Sequence, residues 1–122
     1  MSDPANSKST PEQDAAELRR SERVQVDIAV QIFTSNMTCV GRGHELGRVG
    51  MAVHVPIDLQ VGDSIRLMFQ PPNSKARFGL FAIVRNRENF RYGVEFRELG
   101  RAETAELDRV VSGLATQNSV TR

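Results

Sequence analysis

The feature that most constrains the fold is a strict period of two beginning at Val24. Val24, Val26, Ile28, Val30 and Ile32 alternate with Gln25, Asp27, Ala29 and Gln31. Successive side chains of a strand point to opposite faces, so this pattern describes a half-buried strand with one wet face. Comparable runs follow, separated by turn residues. "TSN" turns the chain into "MTCVGRGHEL", a poorer strand because Gly41 and Gly43 interrupt it. "GRVG" leads into "MAVHVP". A turn at Gly62–Asp63 precedes "SIRLMFQ", and the Pro-rich "PPNSK" precedes "ARFGLFAIVRNRE". "NF" forms a tight connection into "RYGVEFREL", where Phe90, Tyr92, Val94 and Phe96 share one face.

The period then changes. Leu107, Val110, Val111 and Leu114 stand at i, i+3, i+4 and i+7, one face of a helix. Six short strands followed by one helix predict an all-β domain, a small antiparallel barrel whose helix covers an opening or an edge. Residues 1–17, rich in Ser, Pro, Asp, Glu and Ala, read as a disordered leader. Residues 18–115 read as a single domain and 116–122 as a frayed tail.

Composition narrows the function. In a chain of 122 residues the net charge is only +1, which argues against coating a nucleic-acid polymer or a membrane. Of the 16 basic residues, however, only Lys8 and Lys75 are lysines. Arginine presents a rigid planar fork that matches phosphate and the guanine O6/N7 edge, and it stacks on flat rings. The single cysteine, Cys39, excludes an intramolecular disulfide and is read as a structural thiol in a strand. No apolar run reaches the roughly 20 residues of a bilayer span, and the first residues lack the pattern of a secretory signal. A cytoplasmic protein is expected.

Catalytic patterns are missing. "HEL" at His44 is not HExxH, and there is neither a nucleophile elbow nor a Gly-Lys-Ser/Thr phosphate loop. His54 reads as a surface or internally satisfied histidine, and no enzyme is predicted. A small Arg-rich barrel for single-stranded nucleic acid would need aromatic platforms on its wet face. The chain has six Phe, one Tyr and no Trp, mostly in core-facing register.

Two stretches stand out. "RRSER" places Arg19 and Arg23 four residues apart, just before the first strand, and "ELGRVG" places Glu45, Gly47 and Gly50 between two strands. Two guanidinium groups can address a ligand with two anionic or guanine-like ends. A carboxylate can accept from a guanine's N1–H and N2–H₂, and glycine admits close backbone approach. On pattern alone, a solvated basic arm and a hairpin loop account for the same residues.

An RxxxR element before the first strand, an acidic–Gly loop after the second and a "YGVEF" strand before a terminal helix together resemble the PilZ domain family. The resemblance runs from about Leu18 to about Leu114. It implies a six-stranded antiparallel β-barrel with a C-terminal α-helix and a flexible N-terminal arm. It also implies binding of the bacterial second messenger cyclic di-GMP through RxxxR and [D/N]xSxxG. Arg19 to Arg23 match the first motif in full. In the second, Gly50 matches, Glu45 keeps the charge of Asp with one more methylene, and Gly47 replaces serine.

The ligand residues implied are Arg19, Arg23, Glu45, Gly47 and Gly50, with Arg20 and Arg48 as possible additions. Arg20 and Glu22 are expected to face solvent or each other. Cyclic di-GMP would order the arm and expose a new surface to a partner protein, in motility or exopolysaccharide export. No metal is implied. The alternative is a ligand-independent PilZ-like adaptor, suggested by the Glu45 and Gly47 departures.

Overall fold

A computed structural model describes residues 22–120, with side chains through Thr116. The expected leader, with Arg19 and Arg20, lies outside the described residues. Six strands come in chain order: β1 (Arg23–Phe33), β2 (Thr38–Gly47), β3 (Gly50–His54), β4 (Ser64–Phe69), β5 (Phe78–Glu88) and β6 (Arg91–Arg97). A single helix follows, α1 (Arg101–Val120). It extends through residues read from the sequence as a tail.

All neighbouring strands pair antiparallel, and they close into a barrel of order β1-β2-β3-β6-β5-β4. The closing seam is short. β1 meets β4 only through Gln31↔Met68, Ile32↔Leu67 and Phe33↔Arg66. Closure leaves no free strand edge for the helix to cover, so of the two expected placements, over an opening or an edge, the edge drops out, and α1 packs against β1 and β2. Leu107, Val110, Val111 and Leu114 join the barrel core, as their spacing requires. At its start the Glu103 carboxylate accepts from the Gly100 N–H at 2.6 Å, the return half of a capping box.

The core follows the alternation. Val24, Val30 and Ile32 on β1, Ile65, Leu67 and Phe69 on β4, and Tyr92, Val94 and Phe96 on β6 are buried together. Phe90 departs from the expected face. It sits in the two-residue turn between β5 and β6, 48% exposed, because the strands end at the pair Glu88↔Arg91. Asn89 takes a φ of 57° there, a conformation asparagine tolerates.

Gly41 and Gly43, which weaken β2 on propensity, are buried and tightly packed. A Cβ on Gly41 would lie 2.3 Å from the His54 carbonyl oxygen and 2.9 Å from Ile32 Cδ1. Close approach of the His54 backbone explains Gly41, and core side chains of Ile28, Val30 and Met51 crowd the space beside Gly43.

Tyr92 locks the long β3–β4 connection onto the barrel. Its fully buried hydroxyl donates to the Ile57 carbonyl at 2.8 Å and accepts from the Leu59 N–H at 2.9 Å. Arg87 reinforces the same connection by donating to the Leu59 carbonyl at 2.9 Å and pairing with Asp58 at 2.5 Å. Removing one hydroxyl therefore strands two backbone groups. Tyr92→Phe is expected to lower unfolding stability by about 1–3 kcal/mol in urea denaturation, with the m-value unchanged.

Candidate functional site

The groove begins with a row of cross-strand partners. Glu45 on β2 pairs with Ala52 on β3, Ala52 with Gly93 on β6, and Gly93 with Asn86 on β5. The two middle residues are small, so the row is low in the centre and raised at both ends. A cavity of about 470 Å³ lies over it, lined among others by Arg23, Glu45, Arg85, Asn86, Arg91 and Glu95. Asn86 folds onto Gly93 so closely that a Cβ there would meet its Oδ1 at 2.5 Å. The amide thereby forms part of the groove floor.

Two register shifts shape the walls. Between β2 and β3 the extra residue is His44, beside Glu45. Between β5 and β6 it is Arg85, beside Asn86. Bulges re-aim side chains at their own position, and here one stands next to each end of the row.

The charges on the walls are unevenly committed. Arg85 Nε donates to Glu95 Oε1 at 2.6 Å, a tight pair. Glu45 is held only loosely, with Arg23 Nη1 3.9 Å from its Oε1 and Arg91 Nη2 3.5 Å from its Oε2. Both distances exceed the roughly 2.7–2.9 Å of a charge-assisted hydrogen bond. All three side chains remain open to water, Glu45 at 34%, Arg23 at 41% and Arg91 at 42%. The groove thus presents two available guanidinium groups, a carboxylate and an amide. Such a set can bind an anion and read the edge of a purine.

Of the residues singled out in the sequence, Arg23 and Glu45 meet in this groove. Arg19 and Arg20 lie outside the described residues. Gly47 and Gly50 are buried at the facing ends of β2 and β3, and their packing gives each a reason to be glycine. A Cβ on Gly47 would sit 3.1 Å from the Glu22 carbonyl oxygen, and one on Gly50 would sit 2.4 Å from the Val94 carbonyl oxygen. Neither has positive φ; Gly62 alone among the described glycines does.

Arg48 turns away from the groove towards α1. It donates from Nε to Asp108 at 2.6 Å, from Nη1 to Glu22 at 2.9 Å and from Nη2 to Ser112 at 2.7 Å. Glu22, expected at solvent or against Arg20, is therefore engaged by Arg48. Burial opposes the guanidinium charge, but hydrogen bonds and charge attraction from Asp108 and Glu22 outweigh it and raise the Arg48 pKa further. Arg42 is committed too, to the carboxylate and carbonyl of Asp27. His44 Nε2 and His54 Nδ1 lie 2.8 Å apart, so these two rings satisfy each other. Burial pushes the Cys39 thiol pKa up, which suits an unreactive structural thiol.

Arg85, Asn86, Arg91 and Glu95 are the site residues that sequence reading missed. Their only signal is the density of arginine in "VRNRENFRYGVEF", and nothing in it tells that β6 lies beside β3.

The PilZ domain family matches residues 17–113, which is most of the chain and all of the barrel. The chain belongs to the PilZ domain family. Solved PilZ structures share its fold at low identity. The PilZ domain of CeSA from a cellulose-synthesizing bacterium is 19% identical with a TM-score of 0.62, over 78% of this chain and 99% of that one. The PilZ domain of YcgR from Escherichia coli, solved with c-di-GMP, is 17% identical with a TM-score of 0.65, over 82% and 93%. The PlzA protein of Borreliella burgdorferi, in complex with c-di-GMP, is 13% identical with a TM-score of 0.58, over 90% of this chain and 57% of that one. No curated protein sequence matches the chain.

Within this PilZ barrel, Arg48 ties the β2–β3 connection to the helix and to the residue preceding Arg23. Its side chain is only 11% exposed, whereas its carboxylate partners are more open, which limits the strength of the pairs. Arg48→Ala is expected to cost about 1–2 kcal/mol of unfolding stability. Arg48→Lys is expected to recover only part of that, because an ammonium cannot reach three partners in one plane. Urea denaturation of both variants checks this.

Proposed function

We propose that this PilZ domain is a cytoplasmic effector that binds cyclic di-GMP in the groove between Arg23, Glu45, Asn86 and Arg91. The observation that carries the proposal is the meeting of Arg23, from the RxxxR motif, with Glu45, from the second motif, over a floor of small residues. Cyclic di-GMP offers two phosphodiesters and two guanines. Arg23 and Arg19 would grip phosphate and the guanine O6/N7 edges, with a guanidinium stacking on a base. The Gly47-to-Gly50 connection would form one wall. The ligand would draw the arm carrying Arg19 onto the barrel, and the ordered arm would present a new surface to a partner protein. Binding and display require no bond-making, so the reading is of an effector and not an enzyme.

The alternative is a PilZ adaptor that works without ligand. The departures at Glu45 and Gly47 favour it, and so does the packing at Gly50, where glycine is needed whether or not anything binds.

Calorimetric titration with cyclic di-GMP, with GTP as control, separates the two. Saturable binding that disappears in Arg23→Ala is expected for the effector. Undiminished affinity in that variant would move the site elsewhere, and silence from the native chain at millimolar ligand would favour the adaptor.

A further inference from the structure

The loosest charges in the groove are also the most informative. Glu45 stands between Arg23 on β1 and Arg91 on β6, with ion contacts to both and no hydrogen bond to either at 3.9 and 3.5 Å. Every other ion pair of the described residues that involves the groove or its approaches is tighter. Arg85–Glu95 and Arg48–Asp108 are at 2.6 Å, and Arg42–Asp27 is at 2.7 Å. A carboxylate shared at long range by two half-exposed guanidinium groups is the contact most readily exchanged for another anion.

Resting on the proposed function, we infer that Glu45 is an internal counter-ion that a ligand phosphate displaces, and that Arg91 is a phosphate-binding residue paired with Arg23 across the groove. The geometry supports the exchange. Arg23 and Arg91 reach the two different oxygens of one carboxylate, and the oxygens of a phosphodiester offer the same two-sided acceptor. Arg85 stays bound to Glu95 and forms a fixed wall.

Arg91 is held for this role by its strand position. Its register partner on β3 is His54, which is paired in turn with Arg42 on β2, and its partner on β5 is Glu88. Arg42 is spent on Asp27, and the His54 ring is spent on His44. Arg91 is the member of that row whose charge reaches into the groove.

The inference reverses the sign expected from the family pattern, in which the acidic residue accepts from guanine. Removing the Glu45 charge then releases two arginines instead of losing a base contact. Glu45→Gln keeps the shape and is expected to bind cyclic di-GMP roughly two- to tenfold more tightly than the native chain. Arg91→Ala is expected to bind roughly tenfold or more weakly. In the double variant the gain from Glu45→Gln is expected to shrink, since half of what it releases is absent.

Titration calorimetry on the native chain and the three variants, each first shown to melt cooperatively, decides the matter. Tighter binding by Glu45→Gln with weaker binding by Arg91→Ala upholds the inference. Weaker binding by Glu45→Gln, or unchanged binding by Arg91→Ala, overturns it while leaving the proposed function standing. A silent native chain with a binding Glu45→Gln variant upholds the counter-ion and overturns the native chain as an effector. Silence from both overturns both.

Discussion

The groove depends on a backbone constraint, the close seating of β3 between β2 and β6. Four of the five residues of β3 are buried, and glycines stand where its neighbours come closest. Gly41 admits the His54 carbonyl, Gly50 admits the Val94 carbonyl, and Gly93 admits the Asn86 side chain. With ordinary side chains at Gly41 and Gly50 the strands would have to spread, whereas at Gly93 the Asn86 amide would have to move aside. Because they are seated so tightly, the surface above Ala52 and Gly93 is low, and longer side chains on β1, β2, β5 and β6 overhang it. The groove is thus a by-product of barrel closure, lined by polar groups on strands that closure brings together.

Electrostatics then divides the arginines by task. Arg48 and Arg87 are structural, each satisfying several acceptors at once and joining a connection to the barrel or the helix. Arg42 and Arg85 have single tight carboxylate partners. Arg23 and Arg91 share one carboxylate at a distance. Part of the positive charge of this near-neutral, arginine-rich chain is used internally, since Arg42, Arg48, Arg85, Arg87 and Arg109 are each committed to a carboxylate at short range.

The barrel was largely legible. The alternation in β1, the turns at Gly62–Asp63 and Asn89–Phe90, and the i, i+3, i+4, i+7 face of α1 are local patterns, and local patterns set element type. Reading β2 as weak at Gly41 and Gly43 was less successful, because propensity takes no account of a carbonyl 2.3 Å from a missing Cβ. Phe90 was assigned to the core on parity, but the two-residue turn ended the strand before it. The site was half legible. Arg23 and Glu45 were visible because they lie in short motifs, whereas Arg91 and Asn86 carry no motif and reach the groove only through the pairing of β6 with β3 and β5.

By itself the sequence determined the number and kind of elements, the inward faces of β1 and of α1, and membership of a barrel family through motifs spaced along the chain. These follow from periodicity and short-range chemistry, which act over a few residues. Only the tertiary structure decided which arginines are free. Arg23, Arg42, Arg48, Arg85, Arg87 and Arg91 are alike in sequence, each a guanidinium on or beside a strand. Their roles diverge because a carboxylate's distance is set by strand order and register. Asp108 lies 60 residues from Arg48 yet touches it, while Glu45 and Arg91 are brought face to face across a third strand.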